Sequence, residues 1–165
     1  MPHQTPPRPP EHDDCHATGG GRVVVPEGAF VTGSLRLKSR VTLKIDQGGI
    51  LRGSPKIGDY TVETAPLHWG GFWKSSSSLW KQCLIYAENA EQIGIEGPGT
   101  IDGQGGSERK VFPNANDRRR PMLVRFERCR RIAVRDVTLL DPAAFTTFFV
   151  PSEDMAIERV TIRSR

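Results

Sequence analysis

"CRRIAVRDVTLL", residues 129–140, laid over "SEDMAIERVTIR", residues 152–163, places Cys129 on Ser152 at an offset of 152 − 129 = 23. Ile132 then meets Met155, Val134 meets Ile157, Val137 meets Val160 and Leu139 meets Ile162. The charged positions match with opposite sign: Arg130 over Glu153, Arg131 over Asp154, Arg135 over Glu158, Asp136 over Arg159. Opposite charges on neighbouring strands contribute roughly 0.2–1 kcal/mol per pair, and like charges there cost energy. A hairpin would reverse the order and lose the pattern, so the overlay predicts strands stacked in parallel register.

The pattern extends upstream. Ile93 and Ile95 fall on Ile132 and Val134 at an offset of 39, as do Leu84 and Ile85 on Leu123 and Val124, and Glu91 and Glu96 face Arg130 and Arg135. The excess over one repeat is 39 − 23 = 16, matched by the polar, basic, non-periodic "GSERKVFPNANDRRRP", which has the character of an inserted surface loop. Val41 and Leu43 precede Ile93 and Ile95 by 52, which demands a second, longer insertion within residues 54–82. A period near 23 belongs to solenoids, whose repeats bury their apolar faces against one another. Leucine-rich repeats of this period need a helix and an asparagine after the strand, and neither pattern is present. Short β-branched runs, "RVVV", "RVTLKI", "LIYA", "LVRF" and "VTIR", between glycine-rich bends predict an all-β fold, a parallel β-helix.

The glycine-rich "EGPGTIDGQGG", residues 96–106, fits this architecture better than a phosphate loop. Counting G-x-G-x-x-G from Gly97 puts Asp102 at the sixth place, no helical pattern follows, and Pro98 removes a backbone donor. The stretch is expected to turn one coil's corner and lead into the inserted loop.

With 36% hydrophobic and 25% charged residues, the 165-residue chain has the composition of an ordinary globular domain. No run reaches the length of a membrane span, and no membrane partner is expected. "MPHQTPPRPPEHDD" has no apolar leader, so as written the chain reads as cytoplasmic by default and as exported if the true start lies upstream. Residues 1–14 are expected to form a proline-rich, disordered tail, and 15–165 a partial β-helix domain. Cys15, Cys83 and Cys129 are too few and too widely spaced for a disulfide framework and read as buried or free thiols. "HDDCH", residues 12–16, lacks a second ligand cluster, so no metal and no cofactor are assigned.

"GGGRVVVPEGAF", "GSLRLKSRVTLKID", "GGILRGSPKIGDY", "IGIEGPGTIDGQG" and "RPMLVRFERCRRIAVRDVTLLD" resemble, in order and spacing, the N-terminal half of glycoside hydrolase family 28, the polygalacturonases. The resemblance covers about residues 15 to 165. It implies a right-handed, pectin-lyase-like parallel β-helix, incomplete here, and inverting cleavage of pectic galacturonan. The family's catalytic segments, Asn-Thr-Asp, Asp-Asp, Gly-His-Gly and Arg-Ile-Lys, do not occur here in context, so no catalytic residue is assigned and the chain is expected to be inactive alone. "CHATGGG" resembles the end of the family's capping helix, but the prolines of "TPPRPPEH" argue that the cap is absent or replaced.

Inverting hydrolysis uses two carboxyl groups about 6.5–9.5 Å apart. Asp136, Glu153, Asp154 and Glu158 each have an arginine opposite in the overlay, which suits ion pairing. Asp102 and Asp141 read as turn caps after strands. Trp69, Trp73 and Trp80, all in the longer insertion, are the candidate sugar-stacking residues. From Arg109 to Arg135, ten Lys and Arg stand against Asp117 and Glu127, 10 − 2 = +8, which would attract an acidic polysaccharide. No nucleic-acid motif accompanies this charge, so nucleic acid is not an expected partner. Two other readings stand beside the glycosidase: a noncatalytic carbohydrate-binding β-solenoid, and a structural element that self-associates through uncapped coil ends.

Overall fold

The computed structural model describes residues 12–60, 82–106 and 120–164, with side chains from residue 15 onward. A short helix, α1 (His12–Ala17), leads into the coils. The first coil holds β1 (Gly21–Val25), β2 (Gly28–Thr32) and β3 (Leu35–Arg36). The second holds β4 (Val41–Ile45), β5 (Gly49–Gly53) and β6 (Cys83–Glu88), with a single 3-10 turn at Ile57–Asp59. The third holds β7 (Glu91–Glu96), β8 (Thr100–Asp102) and β9 (Met122–Glu127), and the fourth β10 (Arg130–Arg135), β11 (Thr138–Leu140) and β12 (Thr147–Val150). β13 (Glu153–Glu158) and β14 (Thr161–Arg163) begin a fifth.

Each coil gives one strand to each of three parallel sheets: a first sheet β1-β4-β7-β10-β13, a second β2-β5-β8-β11-β14 and a third β3-β6-β9-β12. The chain is a right-handed parallel β-helix. The sequence overlay matches the pairing: Ile132 lies beside Met155 and Val134 beside Ile157, Ile93 beside Ile132 and Ile95 beside Val134, and Leu43 beside Ile95. The inserted segments leave between β5 and β6 and between β8 and β9, and most of their residues lie outside the described ones.

Because side chains alternate across a strand, one register position makes a column through the stack. Val23, Leu43, Ile95 and Val134 form such a buried column in the first sheet, and Leu51, Ile101 and Leu139 one in the second. Full burial of an aliphatic side chain contributes roughly 1.5–3 kcal/mol. Val137 is buried as well, and Val160 packs against the core.

The corners repeat as faithfully as the columns. Asn89 and Arg128 take positive φ after the third-sheet strands, and Arg128 Nε donates to Asn89 Oδ1 at 2.9 Å. Gln92, Arg131 and Asp154 take positive φ at the second residue of β7, β10 and β13, a local bulge that turns two successive polar or charged residues outward. Asp136 and Arg159 do so between first and second sheets and pair with each other, Arg159 Nε reaching Asp136 Oδ1 at 2.5 Å.

The glycine-rich stretch has its cause in close packing of coils. A Cβ on Gly97 would lie 1.8 Å from Asp136 O, and one on Gly105 2.3 Å from Pro142 O. The stretch is therefore the corner of the third coil, pressed against the backbone of the fourth.

Helix α1 starts at His12, inside the segment assigned to a tail, so a short helix stands where the cap was expected to be absent or replaced. Cys15 packs against the core, and the His16 ring, through Nδ1, donates to Ser39 O at 3.0 Å. The prolines that argued against a helix all lie before His12. No helix among the described residues is long and apolar enough to cross a membrane.

Two predictions follow from the packing. Gly97→Ala and Gly105→Ala should each destabilise the fold by about 1–3 kcal/mol or more through overpacking. Gly58→Ala, which meets nothing within 4 Å, should be near neutral in the same denaturant titration. The Arg159 hydrogen bond holds the exposed Asp136 carboxyl below the usual carboxylate range. A depressed folded value stabilises above the unfolded pKa and is lost as pH falls through the folded one. NMR titration of Asp136 should therefore give a higher midpoint in Arg159→Gln.

Candidate functional site

The third sheet differs from the other two in what it carries outward. Ile85, Ala87, Val124 and Phe126 face the main core, while Cys83, Tyr86 and Met122 form a separate buried cluster, with Ala144 and Phe148 packed against it. Register aligns Arg36 with Tyr86, Tyr86 with Arg125 and Arg125 with Phe148, one residue from each of four coils. The row alternates guanidinium and ring. Arg36 lies over Tyr86 at 5.7 Å from the ring centroid, and Arg125 over Phe148 at 6.0 Å. Each face of a ring carries the negative lobe of its quadrupole, so such contacts attract.

The next outward row places Glu88 beside Glu127. Two carboxylates in register repel, and the surrounding arginines offset this. Arg125 and Glu127 form an ion pair whose side chains are 1% and 5% exposed. Arg128 reaches Glu88 and, at 3.7 Å, Glu127, and Arg36 reaches Glu88 at 3.5 Å. Burial pushes the Tyr86 hydroxyl up, helped by the negative charges of Glu127 and Glu88. Burial likewise pushes the Cys83 thiol up to about 12, against the lowering pull of Arg125. Cys83 therefore stays a protonated thiol and is no nucleophile. Chemically the face is a locked network of charge and rings, with Arg36, Arg128 and Phe145 at its open rim.

Asp102 and Asp141 are buried where strands end. Asp102 Oδ2 accepts from Arg52 Nε at 3.1 Å, and its Oδ1 accepts from Gln104 N at 2.9 Å. The Asp141 carboxylate sits against Gly106, and its backbone oxygen accepts from Gly105 N at 2.7 Å. Asp102 thus serves its turn through its side chain, and Asp141 contributes a backbone oxygen to the neighbouring corner. Trp69, Trp73 and Trp80 lie outside the described residues. Five arginines in the described part of the basic stretch are paired: Arg125 with Glu127, Arg128 with Glu88, Arg130 and Arg131 with Glu91, Arg135 with Glu96. No group of three potential metal ligands occurs among the described residues.

The Tyr86–Arg125–Glu127 cluster escaped the sequence reading. Its signal was the 39-residue offset, which sets "YAE" of residues 86–88 over "RFE" of residues 125–127.

Residues 15–165 match the family model described as "Glycosyl hydrolases family 28". The chain belongs to this family. It is 31% identical over 146 residues to a Vitis vinifera protein named "Probable polygalacturonase", covering 87% of this chain and 30% of that protein. It is 39% identical over 109 residues to a polygalacturonase of Ralstonia solanacearum, covering 63% of this chain and 20% of that protein. Among solved structures, the polygalacturonase of Erwinia carotovora ssp. carotovora superposes with a TM-score of 0.69 at 26% identity, covering 87% of this family 28 chain and 41% of the other. The chain thus spans under a third of these two sequence relatives.

The buried ion pair generates a prediction. Arg125→Met leaves Glu127 buried without its guanidinium and should cost about 3–5 kcal/mol, whereas Arg125→Met with Glu127→Leu should recover most of that loss. Chemical denaturation of the single and double variants measures both.

Proposed function

We propose that this chain forms part of a glycosidase acting on pectic galacturonan, and that it does not hydrolyse the polymer by itself. The observation that carries the reading is the family match over residues 15–165. Names of the relatives point to galacturonan as the substrate class.

Inverting hydrolysis requires a carboxyl group that donates a proton to the leaving oxygen and a second that activates water, each contributing roughly a hundredfold or more. Among the described residues the buried carboxylates are Asp102, Glu127 and Asp141. Asp102 is held by Arg52 and by the backbone of its own turn, and Glu127 by Arg125. Both of these carboxylates are already occupied by protein partners, and the Asp141 carboxylate lies against Gly106. The exposed cations at the third-sheet rim, Arg36 and Arg128, supply attraction for an acidic polymer, and Phe145 supplies a ring on which a sugar face can stack. Trp69 and Trp73 extend this reading to the longer insertion.

Purified protein incubated at length with polygalacturonate should release no reducing ends above a heat-killed control. It should bind oligogalacturonides weakly, with affinity falling as salt rises, and Trp69→Ala or Trp73→Ala should weaken binding further. Turnover abolished by Asp102→Asn or Asp141→Asn would overturn the assignment, and an unchanged tryptophan fluorescence at millimolar ligand would remove the insertion from it.

A further inference from the structure

Glu88, the last residue of β6, lies between two guanidinium groups that come from the coils on either side of its own. Arg36 of β3 reaches Glu88 Oε2 at 3.5 Å, and Arg128, which follows β9, reaches Glu88 Oε1. Each arginine is also held by a contact that does not involve Glu88. Arg36 lies over the Tyr86 ring at 5.7 Å from its centroid, and Arg128 Nε donates to Asn89 Oδ1 at 2.9 Å. The side chains of Arg36 and Arg128 are 55% and 45% exposed. Two cations thus converge at the surface on one carboxylate, which the protein itself supplies.

Ion pairs this exposed are weak, because water screens them and two long side chains must be ordered. A carboxylate brought by a ligand can take the place of Glu88 and meet guanidinium groups that Tyr86 and Asn89 keep in position. Glu127 is no such competitor: it is buried, paired with Arg125, and 3.7 Å from Arg128 Nη1. The planar fork of a guanidinium matches a carboxylate in shape and keeps its charge.

We propose that Arg36 and Arg128 form a carboxylate-binding site that Glu88 occupies in the ligand-free protein, so that Glu88 competes with the uronate carboxylates of an acidic oligosaccharide. The sugar in this statement rests on the proposed action on pectic galacturonan, whereas the carboxylate site rests on the geometry alone. A resident carboxylate lowers apparent affinity by the fraction of molecules in which the site is open.

Calorimetric titration of trigalacturonate and of triglutamate into the full chain tests this. Glu88→Gln should bind trigalacturonate roughly three- to tenfold more tightly than the unaltered protein, the gain expected when one or two exposed ion pairs no longer compete. Glu91→Gln removes the same charge from a carboxylate that holds Arg130 and Arg131 on the first sheet, and should change affinity by less than about twofold. Adding Arg128→Gln to Glu88→Gln should erase the gain. Unchanged affinity in Glu88→Gln, or an equal gain in Glu91→Gln, overturns the proposal and leaves the pectic reading standing. A gain for triglutamate alone keeps the carboxylate site and removes the sugar from it. Binding of neither ligand by any of these proteins overturns both.

Discussion

Leu43, Ile95, Val134 and Ile157 hold one register position in four successive coils, and sliding any of these strands by one residue would turn its inward side chain to solvent. No single coil can bury such a residue on every side, so stability accrues between neighbours, as in other solenoids. The corners protect this register. Positive φ recurs at Gln92, Arg131 and Asp154, and at Asn89 and Arg128, so successive coils reuse the same single-residue device at these corners. Glycine enters where two corners touch, and Gly97 against Asp136 is the tightest such approach among the glycines of the stretch.

Much of this was legible in the sequence because parallel register is a fixed offset. Offsets of 23, 39 and 52 recovered the pairing of β10 with β13, β7 with β10 and β4 with β7. Strands lacking an apolar alternation stayed hidden. β8 is "TID", read as part of a bend, and β5 is "GILRG", which was not named among the strands. The pairing of β1 with β4 at 41 − 21 = 20 was also missed, although it sets Val23 beside Leu43 and Val25 beside Ile45. Ion pairs were foreseen on both sides of β10: Asp136 meets Arg159 as the 23-residue overlay implies, and Arg130 and Arg135 meet Glu91 and Glu96 as the 39-residue offset implies, so Arg130 turns to Glu91 and away from Glu153. Both carboxylates lie one strand from Arg130, and sequence offers no basis for choosing between them.

The candidate site was the least legible part. Tyr86, Arg125 and Glu127 come from strands that read as ordinary alternations, and nothing in the sequence announces that their outward face is buried. A guanidinium as hidden as that of Arg125 requires a counter-ion in place, and Glu127 on its own strand provides it. A carboxylate occupied by an arginine has little room left for water or substrate.

The central claim, coils stacked in one parallel register, is tested most directly by methyl–methyl NOEs in selectively labelled protein. The account predicts contacts of Ile93 with Ile132, Leu43 with Ile95, and Ile95 with Val134 and Val134 with Ile157, running in the same order along every strand. Contacts that run in opposite order, as between hairpin strands, would contradict it.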